Sequence, residues 1–425
     1  SVICKISAVF LQCCKNNALL FFLFYATLGC IRELSKSPAS GSFCPALHQF
    51  PLNYSQYSCE KRLSQGKNPS PPVNSSVLCY ILTSEKEHVF MELDFTLCQR
   101  YLSKDVEFWN QADCALSVLQ NDPIFIGGFH RLLRALKARN LAQAQTICNG
   151  CFNAAHISYD DERIAYLAPC LLLALCLPEG LACMRSIGAD EQIISDTLAD
   201  FERWERKLSQ ETGFRGIRDV CWLLYPYVGR LLQIGRLQYE PYLYPLPYAI
   251  YSHRGNGQLL CLCVQSLNCS KEGYPLEDAA DDPEGFSTVF SRQDGIITAN
   301  PANGREGVFS KGPICIRAED WDLLLTQGQP VVNLHIPRCG PLTPQAVDIS
   351  LASAREFFAM QKFPFHIGVC DSWLLDPALA HIAAPGSNIY QFMQRFFKYP
   401  VGNDSSAIDY LFEHGMNDPA SLVAQ

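Results

Sequence analysis

The chain has 425 residues, of which 48% are hydrophobic and 18% are charged, and its formal net charge is −8. This composition excludes the disordered and collagen-like classes. The acidic balance argues against a nucleic-acid-binding protein, whose surface is usually basic. The length is sufficient for two or three domains, each with its own core.

The 21 cysteines indicate neither a disulfide framework nor a metal site. Disulfide frameworks are typical of short secreted chains, whereas this chain is long enough to bury a large core. The only CxxC pair, Cys148 and Cys151, has no second pair at zinc-ribbon spacing. We therefore predict that no metal is bound and that most cysteines are small buried residues in a reducing cytoplasm.

Residues 1–85 read as a poorly specified N-terminal extension. The apolar run at residues 18–28 is shorter than the roughly 20 residues that a transmembrane helix needs. We therefore predict a cytoplasmic protein with no stable membrane span. Residues 27–30 are similar to a lipoprotein cleavage site, so export or lipid anchoring through residues 18–30 stays open as an alternative.

A helical period dominates the chain from about residue 91 to residue 232. Ile193, Thr197, Phe201 and Leu208 fall on one face of a helix that Asp190 can cap. Residues 165–177 are nearly all apolar and predict a buried helix. This half reads as a helical bundle whose apolar stripes form the core.

Near Gly235 the pattern changes to that of strands. Residues 236–244 alternate between apolar and polar side chains, which predicts a half-buried strand. The further expected elements are a strand at 259–267, a loop at 276–307, a helix at 317–325 and a short helix at 405–412. This order of elements predicts a mixed sheet with helices on its faces.

One strand–loop–helix–strand unit stands out in the C-terminal half. The apolar run at 331–336 is followed by a loop with Gly340, and Thr343 and Pro344 are typical of a helix N-terminus. A second apolar run at 365–375 predicts a strand parallel to the first. A helix N-terminus after such a loop can bind an anion. The loop lacks the glycines and the lysine of known phosphate motifs, so an ordinary connection is the alternative.

Three motifs in this half are specific: HIPxxGPLTP at 335–344, SWLLDP at 372–377 and GRLQYE at 235–240. In this order they resemble a family of bacterial acyltransferase-domain proteins, over roughly residues 90–415. The N-terminal half of that family is a helical domain of the N-acyltransferase N-terminal type. Its C-terminal half is similar to the GNAT fold of N-acetyltransferases.

The resemblance implies an α/β (α+β) chain with three parts: the extension at 1–85, a helical domain at 86–234, and a GNAT-like mixed-sheet domain flanked by helices at 235–425. It also implies an acyl-CoA-dependent N-acyltransferase, which uses acetyl-CoA or another acyl-CoA and an amine of a small molecule or peptide. The alternative is a non-catalytic acyl-CoA-binding or protein-interaction module on the same fold. The acceptor, the acyl length and the oligomeric state stay open.

On this resemblance the pyrophosphate of coenzyme A is expected against the loop before the helix. Backbone N–H groups and the helix dipole would hold the anion. The expected cofactor-binding residues are Arg338, Cys339, Gly340, Leu342 and Thr343. Arg338 would add positive charge there, or would be a solvated surface residue instead.

His335, Glu240 and Ser372 are the candidate catalytic residues. His335 could relay a proton near neutral pH, or could be a core histidine bonded to a neighbouring carbonyl. Glu240 could be a base or bind the amine, or could pair with Arg230 or Arg236. Ser372 could bond the pantetheine amide or a carbonyl of the substrate.

Overall fold

The computed structural model describes residues 4–10, 91–151, 162–361, 363, 366–381 and 383–403. Helices form most of the described residues between 95 and 212, and mixed sheets follow, so the fold is α+β, as the sequence predicts. The chain divides into a helical unit, drawn from 91–188 and 198–229, and a sheet unit, drawn from 4–10, 189–197 and 230–403. The domain bounds at 86–234 and 235–425 stay predictions, and the helix predicted at 405–412 lies outside the described residues.

Several helices of the first half begin at capping residues that the sequence provides. In chain order they are α1 (Phe95–Tyr101), α2 (Val106–Leu119), α3 (Pro123–Lys137), α4 (Leu141–Cys151), α5 (Glu162–Leu175), α6 (Leu177–Ser186), α7 (Glu191–Leu198), α8 (Asp200–Thr212) and α9 (Leu224–Tyr227). The side chains of Asp94, Asp105 and Asp122 accept N–H groups of the first turns of α1, α2 and α3. These bonds satisfy donors that have no partner within the helix.

The face shared by Ile193, Thr197, Phe201 and Leu208 belongs to two helices, α7 and α8, and not to one. Asp190 does cap α7, because its carboxylate accepts the Ile193 N–H at 2.8 Å. The Thr197 hydroxyl donates to the Ile193 carbonyl at 2.6 Å, a back-bond that bends helices. The same hydroxyl accepts the N–H of Gln233, 36 residues away, at 2.8 Å. Such a distant contact is invisible to helical periodicity.

An aromatic cluster lies in the core of the helical unit. The rings of Trp109 and Phe201 stack with centroids 5.7 Å apart, and Phe108 meets Trp109 edge-on at 4.9 Å. The indole N–H of Trp109 donates to the Ser103 carbonyl at 2.8 Å, which satisfies the polar atom of this buried ring. The apolar stripes of this half are therefore core, as predicted.

In the part of the chain that the structure describes, no individual helix combines the length and the apolar character needed to cross a membrane. The bent pair Arg163–Leu175 and Leu177–Ser186, at 45° to each other, passes the same test when the two are taken together.

Where it is described, the sheet unit contains short strands and two further helices. The strands are β1 (Cys4–Phe10), β2 (Leu232–Ile234), β3 (Leu237–Leu243), β4 (Tyr248–His253), β5 (Leu259–Cys263), β6 (Asn268–Cys269), β7 (Phe286–Ser287), β8 (Phe290–Gln293), β9 (Ile296–Ala299), β10 (Pro301–Asn303), β11 (Val308–Phe309), β12 (Ile314–Arg317), β13 (Trp321–Leu325), β14 (Pro330–His335), β15 (Gly368–Ser372) and β16 (Phe397–Asn403). The helices are α10 (Pro344–Met360) and α11 (Asn388–Met393). The main sheet has the order β16-β1-β15-β14-β3-β2.

The predicted strand–loop–helix–strand unit is present in the main sheet. β14 and β15 are parallel, with Asn333 opposite Val369, whereas β3 runs antiparallel to β14. α10 joins the parallel pair. Its N-cap is Thr343, whose hydroxyl accepts the Ala346 N–H, and Pro344 follows in the first turn. The missing N–H of a proline costs nothing there.

The chain between β3 and β14, residues 244–329, is here called the excursion. It forms smaller sheets with the orders β11-β10-β5-β4-β13, β12-β9-β8 and β6-β7. Two sequence predictions are wrong in this region. Residues 276–307 contain strands where a loop was expected, and residues 317–325 contain a short 3-10 turn and β13 where a helix was expected. β13 pairs with β4, and partners distant in sequence decide such short elements.

The excursion packs on the main sheet through tyrosine rings. Tyr248 meets Tyr399 of β16 edge-on, with ring centroids 5.6 Å apart, and Tyr244 meets the same ring at 6.1 Å. Val331 and Val369 of the parallel pair lie in the same buried cluster. Burial raises the pKa of the Tyr244, Tyr248 and Tyr399 phenols. This cluster therefore fixes one end of the β14–β15 pair.

Candidate functional site

The turn between β2 and β3 is clamped to α10 by one hydroxyl. Ser350 Oγ donates to the Ile234 carbonyl and accepts the Leu237 N–H at 3.1 Å. It lies 2.8 Å from the Tyr239 hydroxyl. Since the single proton of Ser350 is used on Ile234, the Tyr239 hydroxyl is the donor in that bond. The helix that follows the loop is thus fixed to the strand that carries Glu240.

Strand register brings polar side chains onto one face of the main sheet. Gln233 pairs with Gln238, Glu240 with Asn333, and Gln238 with His335. Residues that face each other, or that lie two apart on one strand, share a face. All five side chains therefore lie on one face, and all but His335 are buried. Buried polar residues in such number are unusual unless they bond to one another.

Glu240 is the centre of this polar face. Its Oε1 accepts from Arg230 Nη2 at 3.1 Å and its Oε2 lies 3.2 Å from His335 Nε2. The Arg230 and Glu240 side chains are 8% and 7% exposed, whereas that of His335 is 24% exposed. The guanidinium charge compensates a carboxylate that would otherwise be costly to bury. Glu240 therefore pairs with Arg230, as its structural interpretation expects, and also contacts His335, whereas a role as a base or an amine-binding group stays a prediction.

The contact between Glu240 and His335 fixes the imidazole. An ionised carboxylate can only accept, so Nε2 carries the proton that points to Glu240, and Nδ1 carries the lone pair of the neutral ring. The Asn333 amide nitrogen lies 3.3 Å from the same Nε2. Its buried Oδ1 has no hydrogen-bond partner among the described residues. The arrangement is that of a base oriented by an acid, at the carboxyl end of β14.

The loop between β14 and α10 is held by a side chain from the β2–β3 turn. Arg236 donates from Nη1 to the Pro337 carbonyl at 3.0 Å, from Nη2 to that of Gly340 at 3.0 Å, and from Nε to that of Pro341 at 3.2 Å. Gly340 has a φ of +64°. Within the described residues the N–H groups of Gly340 and Leu342 have no acceptor.

The structure places the predicted site residues in different surroundings. His335 and Glu240 are together, and the residues Cys339 to Thr343 form the loop. Arg338 is exposed. The Ser372 hydroxyl accepts the Leu374 N–H at 3.3 Å, and strand alternation places it on the face of β15 opposite to Val369, away from His335. A catalytic role of Ser372 stays a prediction.

Sequence reasoning gave no role to Asn333 or Gln233, and it considered Arg236 only as a partner of Glu240, whereas Arg236 donates to the loop carbonyls. A signal was present, since polar residues alternate with apolar ones in β2, β3 and β14, where both faces turn out to be buried. Among the described residues, no group of three or more histidine, cysteine or acidic side chains is placed to hold a metal ion. The groups that could hold a cofactor are the N–H groups of the loop.

A parallel strand pair, joined by a loop and a long helix in a mixed sheet, defines a class of α+β protein. In this chain an acid–imidazole pair stands where that loop begins. Residues 231–425 match the family described as the GNAT-like C-terminal domain. The chain therefore carries a GNAT-like C-terminal domain, preceded by a helical region, as the resemblance of its motifs predicted.

Among solved structures the chain is similar to an acyltransferase in complex with decanoyl-CoA and teicoplanin, at 18% identity over 60% of this chain and 57% of that one, with a TM-score of 0.38. It is also similar to an acyltransferase in complex with CoA and 10C-teicoplanin, at 16% identity over 69% and 66%, with a TM-score of 0.41. The chain thus spans less than two thirds of the length of each. No curated protein matches the chain.

Proposed function

We propose that the protein is an acyl-CoA-dependent N-acyltransferase. It transfers an acyl group from the thioester of acetyl-CoA or a longer acyl-CoA to an amine of a small molecule or peptide. One observation carries the proposal: Glu240 Oε2 lies 3.2 Å from His335 Nε2, and His335 ends the strand that leads into the loop before α10. The GNAT-like domain at 231–425 supports the same reaction class.

The loop residues would hold the cofactor. In the proposal, the N–H groups of Gly340, Leu342 and Thr343 and the positive end of α10 bind the pyrophosphate. Cys339 lines the loop, but its N–H donates to the Pro337 carbonyl at 2.8 Å. Arg338, exposed beside them, adds charge. The acyl chain and thioester then extend toward the strand ends.

His335 is proposed to move the proton of the reaction. The amine nitrogen attacks the thioester carbonyl, a C–N bond forms and the C–S bond breaks. His335 takes the proton that the amine loses, and the proton then passes to the thiolate of coenzyme A. Glu240 stabilises the imidazolium that forms in between, and the Arg230 guanidinium holds the Glu240 carboxylate in place. No covalent enzyme intermediate is needed.

A non-catalytic acyl-CoA-binding module is the second candidate. One observation favours it: Pro341 has no N–H, so the loop offers one donor fewer to an anion. Both candidates bind coenzyme A, but only the enzyme requires His335, which moves the proton during transfer. A cytoplasmic location and a bacterial source stay predictions.

Binding and thiol release measured on the same samples separate these candidates. Calorimetry with coenzyme A, acetyl-CoA and octanoyl-CoA tests binding, and release of free thiol with a panel of amines tests transfer. We expect binding by the purified chain and amine-dependent thiol release. Absence of acyl-CoA binding would refute both candidates, and binding without release for any amine would favour the module.

The His335→Ala variant tests the proton step. We expect turnover to fall by about a hundredfold or more, with the affinity for acyl-CoA little changed. His130→Ala is the matched control, because His130 is an exposed histidine on α3 that contacts the edge of the Phe129 ring. Equal turnover in the two variants would remove His335 from the mechanism.

A further inference from the structure

We infer that Arg236 is a positioning residue for coenzyme A. Its guanidinium holds the loop at 337–341 so that the N–H groups of Arg338 and Leu342 face the pyrophosphate. The inference rests on the proposed function and deepens it, since it names the residue that shapes the cofactor site. Arg236 lies outside the loop and does not itself have to touch the ligand.

Arg236 reaches the loop from a tight turn between β2 and β3. Ile234 and Leu237 pair across a two-residue turn, and Gly235 has a φ of +66° at the first turn position. This is the pattern of a type II′ hairpin. A Cβ on Gly235 would lie 3.3 Å from the Cα of Ser350 in α10. The close contact places the next residue, Arg236, beside the loop at the start of that helix.

The Arg236 guanidinium fits the carbonyl groups of the loop. Each of its three nitrogens donates to a different carbonyl, those of Pro337, Gly340 and Pro341, at 3.0 to 3.2 Å. A planar guanidinium has its donors in a fixed fork, so three such bonds define the orientation of the loop. The Gln233 amide adds a fourth tether, since its nitrogen lies 3.5 Å from Cys339 Sγ and 3.1 Å from the Gly235 carbonyl.

Peptide geometry determines the direction of the N–H groups in the loop. In a trans peptide, the C=O of one residue and the N–H of the next point in opposite directions, and the described chain has no cis peptide bond. The carbonyls of Pro337 and Pro341 point to Arg236. The N–H groups of Arg338 and Leu342 therefore point to the other side of the loop. The peptide after Gly340 has no N–H, because Pro341 follows.

The consequence is a division of roles between two arginines. Arg338 is an exposed residue of the loop and contributes positive charge to the anion site. Arg236 faces the carbonyls and converts a flexible loop into a set of aligned donors. Preorganised donors bind an anion better than mobile ones, because less order is lost on binding. Removal of Arg236 should therefore weaken the binding of ligands that contain the pyrophosphate and leave the binding of ligands that lack it unchanged.

The test compares two acyl donors in the full chain. Acyl-CoA contains the pyrophosphate, whereas the same acyl thioester of pantetheine does not. For Arg236→Ala we expect the dissociation constant of coenzyme A and the KM for acyl-CoA to rise by roughly tenfold, which corresponds to the loss of one hydrogen bond to a charged group. The KM for acyl-pantetheine and the turnover number should stay within about twofold, the range of a neutral change.

Arg236→Lys separates orientation from charge. Lysine keeps the positive charge but offers one nitrogen, which cannot bond three carbonyls in a fork. We expect Arg236→Lys also to weaken coenzyme A binding. This variant provides the test if Arg236→Ala does not fold. Arg317→Ala, at an exposed arginine of β12 paired with Asp320, is the matched control and should bind as the unaltered chain does.

Each outcome decides the inference. If Arg236→Lys binds coenzyme A as tightly as the unaltered chain, charge alone matters and the inference is overturned. It is also overturned if Arg236→Ala raises the KM for acyl-CoA and the KM for acyl-pantetheine equally, since the arginine then only supports the fold. If the unaltered chain binds no coenzyme A, the proposed function itself fails, and this result is distinguishable from both of the others.

Discussion

Asn333 of β14 lies directly across the strand pair from Glu240 of β3. Because opposite residues of antiparallel strands share a face, this pairing places both beside His335, two residues further along β14. A shift of β14 by one residue would turn Asn333 and His335 to the face packed on α10 and leave Glu240 on the opposite face. The acid–imidazole contact therefore depends on the backbone pairing of these two strands.

The Glu240→Gln variant tests the central carboxylate. Glutamine keeps the shape but leaves the Arg230 cation buried without an opposite charge. We expect the free energy of unfolding to fall by about 3–5 kcal/mol, the cost of breaking a buried pair. Turnover should fall about a hundredfold or more, because the imidazolium loses its stabilising charge. Denaturant unfolding and thiol release measure the two effects.

The double variant Arg230→Met, Glu240→Leu separates stability from chemistry at this site. An apolar pair of similar volume removes both buried charges, so we expect stability near that of the unaltered chain or above it. Turnover should remain low. Normal turnover in this variant would show that the carboxylate has no part in the reaction.

A change at Gly340 tests the loop conformation. Its φ of +64° lies in the left-handed region, and a Cβ at this position meets nothing within 4 Å. A β-branched side chain is strained there by its backbone conformation alone. We expect Gly340→Val to weaken coenzyme A binding measured by calorimetry. Gly340→Asn is the control, since asparagine tolerates this region, and equal loss in both variants would contradict the conformational explanation.

Ser350→Ala tests the clamp between α10 and the β2–β3 turn. The variant leaves the Leu237 N–H, the Ile234 carbonyl and the Tyr239 hydroxyl without their partner in a buried place. We expect the free energy of unfolding to fall by about 2–3 kcal/mol. Ser353→Ala, on the exposed side of the same helix, should change it by less than about 0.5 kcal/mol.

The acid dependence of stability tests Asp105. The Phe108 N–H that it caps, and Arg215 at 2.9 Å, hold the pKa of its carboxyl below the ordinary 3.8. A lowered folded-state pKa means that Asp105 contributes stability above 3.8 and loses it as the pH falls through the lowered value. Asp105→Asn keeps a capping oxygen but removes the charge. We expect its unfolding free energy, measured by denaturant at decreasing pH, to lack this part of the acid-induced loss.

The Asp105→Ala variant serves as the comparison at neutral pH. It removes the cap of α2 as well as the charge, so we expect it to be less stable than Asp105→Asn by about 1 kcal/mol. A steep acid slope that persists in Asp105→Asn would assign the acid sensitivity to other carboxyls.

Local patterns predicted the parts of the fold that local chemistry determines. Thr343 and Pro344 begin α10 as their residue types require, and the strands on both sides follow the apolar runs. The strand β13 was predicted as a helix because its partner, β4, lies far back in the sequence. Distance along the sequence explains which parts of the candidate site could be predicted. His335 adjoins the loop in sequence, so the two could be placed together. Arg236 contacts a loop more than 100 residues away, so its contact could not be predicted from local patterns.

The excursion begins and ends at the same place. Leu243 and Pro330 are cross-strand partners, and the Tyr244 N–H donates to the Gln329 carbonyl at 2.9 Å just beyond them. The entropy of closing a chain segment grows only slowly with its length. Over evolutionary time the segment between these residues can therefore lengthen, shorten or be exchanged without moving Glu240 relative to His335. Any replacement segment must still supply an aromatic surface that covers Val331 and Val369.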